Sequence, residues 1–169
     1  QLRSQDFVGV VAEALARNGV AARRLEIELT ETAMVEDGTQ MSEVLKGLRR
    51  LGVRIAMDDF GTGYSSLAHL RDFELDRIKI DRSFVDTELE DVGSRAVIRA
   101  VTSLVRDLAI VTIGEGVETQ EQLDRLIDLG CDVAQGYYLG KPLDVTQIRR
   151  VLRRRRHDLD DVTAVHMTG

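Results

Sequence analysis

The sequence holds one cysteine, Cys131, so it has neither a disulfide framework nor a cysteine zinc site. That usage fits a reducing, cytoplasmic setting. Long hydrophobic runs are also missing. The apolar stretches at residues 7–12 and 108–111 fall far short of the ~20 residues that span a bilayer. The start of the chain lacks the basic residues and apolar run of a secretory leader. Positive charge is not in excess either: 23 Lys and Arg stand against 29 Asp and Glu, a formal net charge of −6, which argues against a DNA-binding role. What is present is 169 residues, 43% hydrophobic and 31% charged, the composition of one globular domain rather than of a disordered chain.

Short β-branched runs alternate with longer helical stretches, the pattern of an α/β fold. Phe7, Val11, Ala14 and Leu15 share a helical face that stops at Gly19, and residues 25–29 read as a strand. Val44, Leu48 and Leu51 mark a second helix, with Thr39 as its N-cap and Gly52 as its stop. Residues 53–57 form the next strand. A Gly/Ser-rich loop at 60–66 leads to a short helix near 67–70, and residues 78–80 form a third strand. Val97, Val101, Leu104, Val105 and Leu108 define another helix, followed by a strand at 110–113. Thr119 and Gln122 make a capping box before Leu123, Leu126 and Ile127. Residues 133–134 start a fifth strand, and Ile148, Val151 and Leu152 mark a last helix. The expected organisation is one unit over residues 1–155 and a loose tail over 156–169.

Five strand–helix units point to a parallel sheet or barrel. A complete barrel of this type has eight strands and about 250 residues. Five strands therefore mean either an open sheet or part of a barrel whose beginning is missing.

Acidic and polar residues recur at the C-terminal ends of the expected strands: Glu28 and Glu31, Asp58 and Asp59, Lys79 and Asp81, Glu115 and Glu118, then Gln135. In parallel α/β architectures active sites assemble at that edge. Glu28, Asp58, Asp59 and Glu115 offer hard oxygen donors suited to Mg²⁺ or Mn²⁺, with no histidine among them. Such carboxylates repel one another unless a divalent cation or a lysine neutralises them, and Lys79 lies in the same ring. Adjacent Asp58 and Asp59 cannot both face inward from a regular strand. At a strand end that restriction relaxes, and neighbouring carboxylates can hold two metals for phosphoryl chemistry.

Other features carry blander readings. Gly61-Thr62-Gly63 lacks the third glycine of a dinucleotide loop and reads as a tight turn over the site. Cys131 reads as a small core residue. His69, His157 and His166 share no ligand spacing. The arginines at 149, 150 and 153–156 read as the solvated end of the last helix, where positive charge suits the dipole. Lys79, taken alone, also admits the blander reading of a buried ion-pair partner.

Five motifs occur in order: Glu28-Leu29-Thr30-Glu31, Asp58-Asp59-Phe60-Gly61-Thr62-Gly63-Tyr64-Ser65-Ser66, Lys79-Ile80-Asp81-Arg82-Ser83-Phe84-Val85, Glu115-Gly116-Val117-Glu118-Thr119 and Gln135-Gly136-Tyr137-Tyr138. Together they resemble the EAL-domain phosphodiesterases, which hydrolyse cyclic di-GMP to linear pGpG in bacterial second-messenger signalling. The resemblance covers residues 1–150 and implies a TIM-like (β/α) barrel. It implies two bound ions, Mg²⁺ or Mn²⁺, held by Glu28, Asp58, Asp59 and Glu115. Lys79 would orient or deprotonate the attacking water, with Glu115 and Gln135 beside it. Glu31, Gly61, Gly63 and Glu118 would support the loop over the site. The resemblance further implies a homodimer, upstream sensory or diguanylate cyclase domains, and a cytoplasmic domain whose parent can be membrane-anchored upstream.

The family's name-giving Glu-Ala-Leu motif, which the family carries on an early strand, is absent from any expected strand here, as is an Asn-containing segment that supplies another ligand. The expectation is therefore the C-terminal two-thirds of the domain, with about five of eight strands, inactive alone. A non-catalytic cyclic di-GMP receptor or protein-interaction module of the same fold is the alternative reading.

Overall fold

A computed structural model describes residues 6–30, 33, 38–61, 73–86 and 92–155. Five strands, β1 (Glu26–Thr30), β2 (Arg54–Phe60), β3 (Arg77–Ile80), β4 (Val111–Gly114) and β5 (Val133–Ala134), form one sheet. All four pairings are parallel. The helices are α1 (Phe7–Asn18), α2 (Gly38–Leu51), α3 (Arg82–Val85), α4 (Val92–Arg106), α5 (Gln120–Asp128) and α6 (Val145–Arg155), with a 3-10 turn at Ala22–Arg24.

Strand order follows chain order, β1-β2-β3-β4-β5. Each crossover steps to the next strand in the same direction, whereas a doubly wound open sheet reverses at a switch point. The sheet is thus a section of a (β/α) barrel wall, and the five expected strands all occur within a residue or two of their expected starts.

The two faces of the sheet divide by chemistry. Leu29, Ile55, Met57, Ile78 and Ile80 pack outward against Leu45 and Leu48 of α2, Ile98, Val101 and Val105 of α4, and Leu126 of α5. Alternation puts Glu26, Glu28, Arg54, Ala56, Asp58, Arg77 and Lys79 on the opposite, inner face. There Arg77 pairs with Glu26 at 3.3 Å across β2. Burial on both faces is the normal state of a parallel sheet, and here the inner layer is ionic.

Local signals explain several helix ends. Asp6 caps α1 by accepting from the Gly9 amide at 3.1 Å, and Gly19 closes it in a left-handed conformation. The Thr119–Gln122 capping box opens α5. Thr39 is not the cap of α2: the helix already includes Gly38, so Thr39 sits in its first turn. In α4 the side chain buried most deeply is Ile98, which lies between the Val97 and Val101 of the expected stripe, while Leu104 and Leu108 remain exposed. The expected short helix near 67–70 and the tail at 156–169 lie outside the described residues.

Among the described residues no helix is long and apolar enough to cross a membrane. Among the described residues β1 and β5 each pair on one side only, and Tyr137, Leu139, Leu143, Val145, Ile148 and Val151 expose apolar surface along the C-terminal segment. Unpaired edges beside apolar surface favour association. Sedimentation at rising concentration should show self-association of this chain; a monomer at every concentration would contradict it. Burial raises the thiol pKa of Cys131, so it should react with thiol reagents only at the rate of unfolding. Rapid labelling of the native chain would overturn its core assignment.

Candidate metal centre at the C-terminal edge of the sheet

β2 carries the central irregularity. Met57 pairs with Ile78 and Phe60 with Ile80, so Asp58 and Asp59 together face the single residue Lys79. This two-against-one count is a β-bulge, and Asp59 adopts φ 56°, the left-handed region. In an unbroken strand Asp59 would follow Ile55 and Met57 into the apolar layer. The bulge removes it from that layer and returns Phe60 to the core. The aspartate pair therefore lies inside the strand, where the expectation places it just beyond the strand's end.

Lys79 gathers the carboxylates. Its Nζ donates to Glu28 Oε2 at 2.9 Å and lies 3.0 Å from Asp58 Oδ1 and 2.8 Å from Glu115 Oε1. The partners come from β1, from β2 and from the residue after β4, while only 8% of the Lys79 side chain is exposed. Glu28 and Lys79 stand on strands separated by β2 and meet across it over Ala56, a small and fully buried residue. Burial disfavours the ammonium, but hydrogen bonds to Glu115, Glu28 and Asp58 outweigh it and hold the pKa above the usual lysine value. Lys79 is therefore protonated at neutral pH.

Asp58, Asp59 and Glu115 each present an oxygen within 4.8 Å of the others. Burial, followed by the neighbouring charges of Asp58 and Asp81, pushes the Asp59 carboxyl above the usual carboxylate range, and Lys79 only partly opposes this. Such crowded anions gain from a divalent cation, and an all-oxygen, all-acidic donor set suits Mg²⁺ or Mn²⁺. Glu28 joins through Lys79 rather than through this three-carboxylate group.

The remaining expected residues distribute around this centre. Gly61 follows the bulge at φ 97°, and a Cβ there would meet the Phe84 ring at 2.6 Å. Asp81 caps α3 by accepting from the Ser83 amide at 3.0 Å; burial works against its charge, but hydrogen bonds from Ser83 and Arg82 lower its pKa. Glu118 is exposed, and its amide donates to Gln122 Oε1 at 2.6 Å in the lead-in to α5. The Gln135 side chain is exposed, but its backbone is bound on both sides. Its amide donates to the Gly114 carbonyl at 2.8 Å, and its carbonyl accepts from Val117 at 3.1 Å. Beside it, a Cβ on Gly136 would lie 2.1 Å from the Val117 carbonyl oxygen, so only glycine permits this approach. Glu31 and Gly63 lie outside the described residues.

Residues 1–142 match the family described as the EAL domain. The chain is 40% identical over 152 residues to the cyclic di-GMP phosphodiesterase NbdA of Pseudomonas aeruginosa, covering 90% of this chain and 19% of that protein. Among solved structures it is similar to the PaMucR phosphodiesterase in its c-di-GMP complex, with TM-score 0.82 and 36% identity over 87% of this chain and 60% of that one. It is also similar to Klebsiella pneumoniae BlrP1 in a manganese/cy-diGMP complex, with TM-score 0.74 and 35% identity over 80% of this chain and 35% of that one. The chain spans 18–19% of the length of several curated relatives.

Lys79→Met should destabilise the metal-free chain by about 2–3 kcal/mol, less than for a fully buried pair because Glu28 is half in water. Urea unfolding measures this, and an unchanged midpoint would remove Lys79 as the neutralising group. Saturating Mn²⁺ should stabilise the parent chain by about 2.7 kcal/mol at a hundredfold excess over Kd. The gain should vanish in Asp59→Asn, and its survival there would place the ion elsewhere.

Proposed function

The chain belongs to the EAL domain family, and from that membership we propose that its carboxylate centre serves the hydrolysis of cyclic di-GMP to linear pGpG. The observation that carries this reading is the convergence of Asp58, Asp59 and Glu115 oxygens beside Lys79 at the strand ends. Glu28, Asp58, Asp59 and Glu115 would hold two divalent cations, Mg²⁺ or Mn²⁺. Bound there, such ions activate water and offset phosphate charge.

The chain's own residues prepare the remaining steps. Lys79, held protonated by Glu115, Glu28 and Asp58 in the ion-free site, is a hydrogen-bond donor among the carboxylates. That suits orienting a water in line with the phosphorus, or holding a non-bridging phosphate oxygen. Gln135, bound through its backbone to Gly114 and Val117 on either side of Glu115, would bring a neutral amide to help position the water. The bulge fixes the Asp58–Asp59 pair before any ligand arrives, so little reorganisation is left to the reaction. Glu31, Gly61 and Gly63 take the role of holding the loop that begins at Gly61. We place the site in a cytoplasmic signalling protein that works as a homodimer. The name of the relative MucR, a bifunctional diguanylate cyclase/cyclic di-GMP phosphodiesterase, supports a cyclase domain as a neighbour of this one.

The test is incubation of cyclic di-GMP with Mn²⁺ or Mg²⁺, using this chain and the product of the longest reading frame that contains it, with chromatographic detection of pGpG. Metal-dependent pGpG from either, reduced by about 10³-fold or more in Glu115→Gln without loss of folding, is the expected result. Tight binding of cyclic di-GMP without cleavage would give the site to a receptor, and absence of both binding and cleavage would overturn the proposal.

A further inference from the structure

The carboxylate centre is built by one backbone device used twice. Asp76, the residue before β3, accepts through Oδ2 from the Ile55 amide at 2.8 Å, and its own amide donates to the Ile55 carbonyl at 2.9 Å. Asp132, the residue before β5, accepts through Oδ2 from the Thr112 amide at 2.8 Å and from the Thr112 hydroxyl at 2.7 Å, and its amide donates to that hydroxyl at 2.9 Å. Each aspartate thus ties the start of its own strand to the start of the strand before it.

The offsets from these ties are identical. Three residues beyond Ile55 stands Asp58, and three beyond Asp76 stands Lys79. Three residues beyond Thr112 stands Glu115, and three beyond Asp132 stands Gln135. The β2–β3 and β4–β5 pairs are therefore two copies of one arrangement, each tied at the bottom of the sheet and each delivering two polar groups at the top. A strand rises by about 3.3 Å per residue, so a fixed tie three residues below sets the height of the residue above.

We propose that Thr112 and Asp132 are positioning residues for the site, holding Glu115 and Gln135 at a common height as Ile55 and Asp76 hold Asp58 and Lys79. Their role rests on the reading of Glu115 as a cation ligand. The need is greatest in the second copy. β5 has only two residues and, among the described residues, pairs with β4 alone, through Ile113–Val133 and Gly114–Ala134. So short an edge strand holds its register poorly without an anchor. The first copy has a longer strand and a second guy: Arg49 of α2 reaches Asp76 Oδ2 at 3.1 Å. The second copy compensates with the Thr112 hydroxyl, fully buried and bonded in both directions. Above the tie, the Glu115 loop is clamped from one side by the Ile80 carbonyl, which accepts from the Glu115 amide at 3.2 Å, and from the other by Gln135. Loosening the tie frees the second clamp and leaves the first.

Thr112→Val removes the hydroxyl at nearly constant volume, and Thr112→Ser restores it. In the full chain, amide exchange at Gln135 and Val117 should rise about tenfold in Thr112→Val, while Met57 and Ile78 keep parent rates and Thr112→Ser follows the parent. Mn²⁺ affinity, measured by calorimetry, should weaken by about tenfold in Thr112→Val and recover in Thr112→Ser. Asp132→Ala, at an exposed position, removes the carboxylate's ties to the Thr112 amide and hydroxyl, leaves the backbone amide of residue 132 to donate to that hydroxyl, and should give the same local pattern without opening the core. Exchange that rises equally in β2 and β3 would mean a general loss of stability and would overturn the proposal, as would unchanged exchange at Gln135. A parent chain that binds no Mn²⁺ would count against the proposed function, while the amide pattern alone would still decide the tie.

Discussion

Three carboxylates and one ammonium meet where β1, β2, β3 and the end of β4 come together, and the inner face of the sheet is arranged around that meeting. Lys79 can reach Glu28 only because β2 presents Ala56 between them, and it can reach Asp58 and Glu115 only because the strands run parallel with their ends level. Without the ammonium, the acidic residues would repel across a small, half-dry space. The ion pairs are therefore less a source of stability than the condition under which so much negative charge can be kept at one edge. A divalent cation placed among Asp58, Asp59 and Glu115 would meet the same need, so lysine and metal are complementary answers to one electrostatic problem.

Much of this was legible in the sequence. The five strands show as β-branched runs, and the capping box at Thr119 and Gln122 is a purely local signal. The charged ring follows from placing Glu28, Asp58, Lys79 and Glu115 at strand ends. What escaped depends on contacts between distant segments. Nothing near Asp58 announces that two residues oppose one, because a bulge is a relation between strands. Thr112 and Asp132 look like an ordinary strand threonine and an ordinary turn aspartate, and only their three mutual hydrogen bonds give them a role. Ile98 took the deepest place on α4, on the buried face it shares with Val101, Thr102 and Val105, while Leu104 at the stripe's edge stayed exposed. Gly136 sits in a recognisable motif, yet the reason for glycine there, the backbone of Val117 at its side, is visible only in three dimensions.

The two faces of the sheet also divide the labour of folding and function. Outward, Ile55, Met57, Ile78 and Ile80 join the helices in an apolar layer that supplies most of the cohesion. Inward, β1 and β3 carry Glu26 with Arg77 and Glu28 with Lys79, two ionic rungs stacked one above the other across β2. The lower rung sits toward the closed bottom of the strands and the upper rung belongs to the site. Changes to the upper rung therefore reach the chemistry before they reach the core.

The bulge in β2 has a consequence for how such a site can change over generations. Because Asp58 and Asp59 together occupy one rung, losing either codon would leave Met57 opposite Ile78 and Phe60 opposite Ile80, with every apolar residue still facing the helices. The sheet would keep its register while the edge lost one acid. The number of carboxylates is in this way uncoupled from the folding pattern, and a descendant that abandons the chemistry can keep the architecture intact through a single deletion.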